Sequence, residues 1–195
     1  MSKLHPPYDI TCVIFAGGRS SRMGSDKALL PFGGFSTLTE FQYRRLTKLF
    51  KKVYISTKEN KFGFEANLIL DNSDERTFAP TAGFQALFQT LQEERVFVLS
   101  VDTPFVGEKE IEVLLKNDNR TYDAVIAQTA TGSHPMCGIY HHSLLPAFTE
   151  MLKTDNHRLG QLLKNSKTKF VRFDVESVFA NLNHPEEYDE ALKSL

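Results

Sequence analysis

Residues 15–27 read Phe-Ala-Gly-Gly-Arg-Ser-Ser-Arg-Met-Gly-Ser-Asp-Lys, which brings the glycines Gly17, Gly18 and Gly24 together with the cations Arg19, Arg22 and Lys27. Glycine admits close approach of the backbone to an anion and positive φ, so successive N–H groups can converge on phosphate oxygens. An arginine fork grips phosphate through two parallel hydrogen bonds, whereas a lysine acts as a compact point charge. The spacing is neither G-x-x-x-x-G-K-[ST] nor G-x-G-x-x-G, so neither a Walker-type loop nor a dinucleotide-binding fingerprint is present. A solvated basic turn would have the same composition. Phosphate binding is favoured because the segment follows the apolar run Ile10–Phe15, at the end of an expected buried strand.

Two carboxylates occupy comparable positions. Asp102 follows Val96-Phe97-Val98-Leu99-Ser100-Val101 and precedes Thr103-Pro104. At the end of a central strand it is suited to Mg²⁺, a hard cation that takes oxygen ligands, or to closing a turn before the proline. Asp71 follows Leu68-Ile69-Leu70; with Asn72 it reads on its own as a strand-terminating turn. His134 reads either as a substrate contact or as a loop histidine near a turn, and Asn183 reads as a cap for a closing helix.

These positions require a scaffold. Strand-like runs at 10–15, 53–56, 68–70, 96–101, 124–127, 137–140 and 170–173 alternate with helical patterns. Thr37 and Glu40 form a capping box ahead of Leu38, Phe41, Leu46 and Leu49. Further helices are expected after Gly83, around Ile111–Leu115, near 143–152 and 158–164, and from Pro185, where Glu186 and Glu187 suit the helix dipole. Alternation of this kind predicts an α/β domain, residues 1–195 as one unit, with a mostly parallel sheet covered on both faces in three layers. Ligands in such sheets bind beyond the carboxyl ends of the strands, which selects the loop after Phe15, the segment at Asp71 and the turn at Asp102.

The 195 residues carry 23 basic and 24 acidic side chains, a formal charge of −1, so no global cationic surface is available for nucleic acid or anionic lipid. No apolar run approaches the roughly 18–20 residues of a membrane span, and the N-terminus lacks the apolar core of a secretory signal. Cys12 and Cys137 cannot build a disulfide framework or a four-cysteine zinc site, and Cys12 is expected inside the first strand. With 16 Phe and no Trp, the core must be packed largely by phenylalanine. A soluble, cytoplasmic, monomeric protein is expected.

The stretch from Phe15 to Lys27 resembles the [LF]-A-G-G-x-S-x-R-M-G-x-D-K signature of the molybdenum cofactor guanylyltransferases, the MobA proteins. Gly17-Gly18 stands where related cytidylyltransferases carry Ala-Gly, which leans towards guanine. Pro80-Thr81-Ala82-Gly83 resembles the family's G-P-L-A-G segment with Ala79 in place of its first glycine, and Asp102-Thr103-Pro104-Phe105 resembles C-D-T-P-[FY]. His134-Pro135 resembles an H-P segment entering a strand, and Asn181 to Glu187 resembles N-x-N-T-P-E-[ED] with His184 for Thr.

The resemblance implies a Rossmann-like nucleotidyltransferase fold and transfer of GMP from GTP to the terminal phosphate of molybdopterin. It implies Arg22, Lys27 and Asp102 as catalytic, with Asp102 holding Mg²⁺. Nucleotide-binding roles fall to Phe15, Ala16, Gly17, Gly18, Lys27, Ser56, Asp71, Gly83, Asp102, Asn181 and Asn183; Ser56 departs from the family's usual Asn. Cofactor-biosynthesis proteins and molybdoenzymes would be transient partners. Two alternatives stay open: a nucleotidyltransferase using CTP or a sugar phosphate, and a non-catalytic nucleotide-binding partner protein.

Overall fold

Strand β1, Tyr8–Phe15, is buried along nearly its whole length, as expected of a central strand covered on both faces. The structure, a computed structural model, describes residues 5–18, 26–71 and 80–194. Around β1 lie β2 (Phe50–Thr57), β3 (Asn67–Leu70), β4 (Arg95–Ser100), β5 (Ala124–Thr129), β6 (Gly132–His141) and β7 (Thr168–Arg172). They form one seven-stranded sheet in the order β3-β2-β1-β4-β6-β5-β7. β6 runs antiparallel to both neighbours, and every other pairing is parallel. The chain proceeds outward from β1 to β3 and then returns to the other side of β1 with β4, so a switch point lies between β1 and β4.

Among the described residues, six α-helices complete the two outer layers: α1 (Leu38–Leu46), α2 (Pro80–Thr90), α3 (Glu108–Lys116), α4 (Leu145–Lys153), α5 (Leu159–Asn165) and α6 (Pro185–Lys193). Period-2 alternation divides each strand between two cores. Cys12, Ile14, Phe97 and Leu99 face the layer of α1, α3 and α6. Val13, Phe15, Val96 and Val98 face that of α2, α4 and α5. Phenylalanine does much of the packing: Phe84 stacks on Phe148 with centroids 4.5 Å apart, and Phe50 on Phe97 at 5.2 Å. Cys12 and Cys137 are both buried thiols, and burial pushes both far up from the ordinary thiol range, Cys137 to about 12.

The Thr37 half of the expected capping box forms, its hydroxyl accepting from the Glu40 amide at 3.0 Å, whereas the Glu40 carboxylate accepts from the Ser36 hydroxyl at 2.6 Å and not from the Thr37 amide. Two expectations are corrected. His134 is not a loop residue but lies within β6, whose strand begins at Gly132 rather than 137. Ile126 pairs with Gly138 and Ala127 with His134, so this irregularity absorbs Pro135, which has no N–H to give the ladder. Asn183 does not cap α6. His184 is the capping position, and the Glu187 carboxylate closes the turn by accepting from the amides of Asn183 (2.7 Å) and His184 (2.9 Å). This leaves the Asn183 side chain for other work.

Candidate active site

Parallel pairing aligns the strand ends that matter. Phe15 lies opposite Ser56 on one side and Ser100 on the other, and Thr57 lies opposite Leu70. Three amides continue the pattern past the strands: Ala16 donates to the Ser56 carbonyl (2.9 Å), Val101 to the Phe15 carbonyl (3.0 Å) and Asp71 to the Thr57 carbonyl (3.0 Å). Gly17, Gly18, Asp71 and Asp102 therefore project from one edge of the sheet, next to its switch point.

A cleft there is lined by Phe15, Gly17, Gly18, Ser56, Lys58, Asp71, Pro80 and Gly83. Gly83, in the first turn of α2, is required by sterics. A Cβ at this position would lie 2.6 Å from the Phe15 ring and 2.9 Å from the Ser56 hydroxyl oxygen. Ser56 is buried, forming the cleft floor beneath the helix start.

Beside this cleft, the Lys27 ammonium pairs with the Asp102 carboxylate and also donates to Asn183 Oδ1 at 3.1 Å. The lysine and aspartate side chains are only 20% and 11% exposed, so the pair works in a region of reduced dielectric where charge is felt strongly. Each member is fixed by its own element. Lys27 opens a 3-10 turn, Lys27–Leu29, whose preceding residue Asp26 accepts from the Ala28 amide at 3.1 Å. The Thr39 hydroxyl of α1 donates to the Ala28 carbonyl at 2.7 Å and holds that turn from the other side. The Leu182 amide donates to the Asp102 carbonyl at 2.9 Å, which is why Asn183 reaches the pair from the far end of the sequence.

Asp102 has a support that the sequence motif did not reveal. Gln42 of α1 is fully buried, and its amide nitrogen donates to the carbonyls of Val101 (3.2 Å) and Thr103 (3.1 Å), bracketing the aspartate. Arg45 orients Gln42 through a 3.2 Å hydrogen bond from Nε and donates to the Val106 carbonyl at 2.5 Å. Burial lowers the pKa of the Arg45 guanidinium to about 10. One signal was legible: Leu38, Gln42 and Leu46 recur every fourth residue, placing a glutamine on the apolar face of its helix.

A second cavity of about 570 Å³ adjoins Asn181 and Asn183 and is also lined by Phe105, His134, Glu176 and Phe179. His134 stacks on Phe179 with centroids 4.9 Å apart, and its Nε2 lies 2.9 Å from the Thr129 hydroxyl. Burial pulls the imidazole below its usual pKa, with Glu176 opposing that shift, so the neutral ring is favoured. The Thr131 hydroxyl donates to Glu176 and holds that carboxyl below the usual range. A cavity of this size, lined by both polar and aromatic side chains, has room for a small molecule.

Lys27, Asp102 and Asn183 thus come together, while Phe15, Ala16, Gly17, Gly18, Ser56, Asp71 and Gly83 surround or underlie the neighbouring cleft. Asn181 lines the second cavity. Arg19 and Arg22 lie outside the described residues. Besides Gln42 and Arg45, sequence reasoning missed Lys58, which lines the cleft, and Lys61, considered below.

An edge that brings Gly17 and Gly18 to a cleft, sets an ammonium–carboxylate pair beside it and adjoins a second cavity suits the joining of two bound substrates at phosphorus. That is the chemistry of nucleotidyltransferases. The model of the MobA-like NTP transferase domain matches residues 12–170, and the chain belongs to this family. A molybdenum cofactor guanylyltransferase of Campylobacter jejuni is 41% identical over 182 residues, covering 93% of this chain and 95% of the relative. One of Helicobacter pylori is 39% identical over 194 residues, covering 96% and 94%. The structure of molybdopterin-guanine dinucleotide biosynthesis protein A from Archaeoglobus fulgidus superposes with a TM-score of 0.80 at 18% identity, covering 95% of this chain and 98% of that one.

Proposed function

We propose that this enzyme transfers GMP from GTP to the terminal phosphate of molybdenum-bound molybdopterin, yielding the guanine dinucleotide cofactor and pyrophosphate. The observation carrying this reading is the Lys27 ammonium held between Asp102 and Asn183 beside the glycine cleft. The acceptor phosphate oxygen forms a bond to the α-phosphorus of GTP as the α–β phosphoanhydride bond breaks, and the electron pair leaves with pyrophosphate. The nucleophile is already anionic, so the chain need not supply one; its part is alignment and charge neutralisation.

In this reading the backbone at Gly17 and Gly18 seats the nucleotide, with Phe15, Ala16, Ser56, Asp71 and Gly83 shaping its cleft. Lys27 and Arg22 offset charge on the phosphates. The second cavity, with Asn181, His134 and Phe179, receives the pterin. Asp102 and Asn183 would hold Mg²⁺: the Asp102 carboxylate and the Asn183 amide oxygen are hard donors already directed at one cation, the Lys27 ammonium. Two protein oxygens suit an ion that takes its remaining ligands from phosphates and water. Such an ion, when bound, polarises the phosphoryl group. The use of GTP supports a cytoplasmic location, and the product would pass through transient contacts to molybdoenzymes.

Purified protein supplied with molybdopterin and Mg²⁺ should release pyrophosphate with GTP and far less with CTP or UTP. Turnover with only CTP or UTP, or with a sugar phosphate as acceptor, would assign it to another transferase of this fold. GTP binding with no turnover on any acceptor would make it a nucleotide-binding partner protein.

A further inference from the structure

We propose that Lys61 is a positioning residue for the transfer reaction, acting through Asp26 on Lys27; the assignment rests on the reading of the site given above. Lys61 lies between β2 and β3, outside every motif that marked the site. Its ammonium donates to the Ala16 carbonyl at 3.3 Å and pairs with Asp26 Oδ2 at 2.5 Å, and its side chain is 18% exposed. One partly buried cation thereby joins the residue just before the glycines to the residue just before Lys27.

Asp26 uses its two carboxylate oxygens for different purposes. Oδ2 takes Lys61, while Oδ1 accepts from the Ala28 amide and opens the 3-10 turn that presents Lys27. A carboxylate that could rotate freely would not hold that amide. With one oxygen fixed by a charge-assisted bond, the other is aimed. The contacts run without a gap from Lys61 through Asp26 to the turn, and from Lys27 to Asp102 and Asn183.

Lys61 is itself well anchored. Its neighbour Phe62 is buried, with a ring centroid 5.7 Å from that of Phe64, and Phe64 lies 5.8 Å from Tyr43 of α1. The Lys61 ammonium sits 5.8 Å from the Phe62 centroid, over the ring. The loop backbone is therefore fixed by apolar burial, and the lysine spans from that support to the site. Pre-set orientation of a charged group matters because small errors in placement are costly in phosphoryl chemistry.

The test compares Lys61→Met, Lys61→Arg, Asp26→Asn and the Lys61→Met/Asp26→Asn double variant with the unmodified enzyme. Guanylyl transfer gives kcat and the KM for GTP, and amide hydrogen exchange at Ala28 and Leu29 reports the turn without any acceptor. Lys61→Met should lower kcat about tenfold, leave KM within about threefold, and speed exchange at Ala28 about tenfold with β1 unchanged. The double variant should be no worse than the poorer single one, and Lys61→Arg should recover most of kcat. Normal kcat with normal exchange in Lys61→Met would overturn the proposal. So would additive losses dominated by KM, which would mean that Lys61 grips the phosphates directly. Absence of guanylyl transfer in the unmodified enzyme would instead reject the substrate reading, and the exchange data would still decide the tie between Lys61 and Asp26.

Discussion

Replacing Gly83 by alanine tests whether the floor of the cleft is as tight as its geometry requires. The new Cβ would start 2.6 Å from Phe15 Cε1 and 2.9 Å from Ser56 Oγ, so the ring must retreat by about 0.8 Å and the hydroxyl by about 0.5 Å to reach ordinary contact. Phe15 cannot retreat into the core, because it is 6% exposed and already packs on Phe84 with centroids 4.9 Å apart. Its open side is the cleft. Overpacking of this kind costs about 1–3 kcal/mol, and the better helix propensity of alanine returns up to about 1 kcal/mol. Net stability should fall by about 1–2 kcal/mol, and GTP affinity should fall about five- to thirtyfold as the ring moves into the nucleotide's space. Titration with a fluorescent GTP analogue and thermal unfolding measure the two effects separately. Gly160→Ala is the control: a Cβ there meets nothing within 4 Å, so it should leave binding unchanged and add a few tenths of a kcal/mol or more. Unaltered GTP affinity in Gly83→Ala, whatever happens to stability, would refute the claim that this contact shapes the nucleotide cleft.

Other predictions separate the site from its support. Asp102→Asn should reduce kcat at least about a hundredfold while GTP binding stays within about threefold, since it removes the charge beside Lys27 but keeps the shape; steady-state kinetics and calorimetry check this. Asp118, whose side chain is fully buried, pairs with Arg95 and lies 2.8 Å from His141 Nε2, near the amino end of β4. Asp118→Ala should therefore cost about 2–4 kcal/mol in denaturant unfolding and leave kcat of the folded enzyme unchanged. His134 has a lowered folded pKa, so below about pH 6.5 the unfolded chain takes up its proton first and stability falls with falling pH until the folded pKa is passed. The stability slope between pH 5 and 6.5 should be shallower in His134→Gln, by at most about 1.4 kcal/mol per pH unit.

The elements were largely legible because burial and periodicity act locally. The run Ile10–Phe15 needed two apolar neighbours, and Thr37 with Glu40 could hardly do other than open a helix. That Gly17, Gly18, Asp71 and Asp102 lie at one edge was legible because parallel strands all present their carboxyl ends on the same side. Gln42 and Arg45 were less so: their importance lies in carbonyls that α1 meets only after the chain has crossed the sheet. Of the two readings open for Asn183, the cap rests on a local preference for asparagine at helix starts and fails because Glu187 serves that turn, while Lys27 claims the amide oxygen.

Residue order alone determined an α/β scaffold, a glycine-and-cation stretch after its first strand and the family that carries such a stretch, since these depend on patterns within a few residues. Tertiary structure decided which charges meet. Lys27 and Asp102 are 75 positions apart, Lys27 and Asn183 are 156 apart, and Lys61 reaches Asp26 across 35. No local spacing rule links such residues. They are joined by the strand order, which folds β1, β2 and β4 side by side and returns the end of the chain to the same edge, where partial burial makes each pairing of opposite charges count.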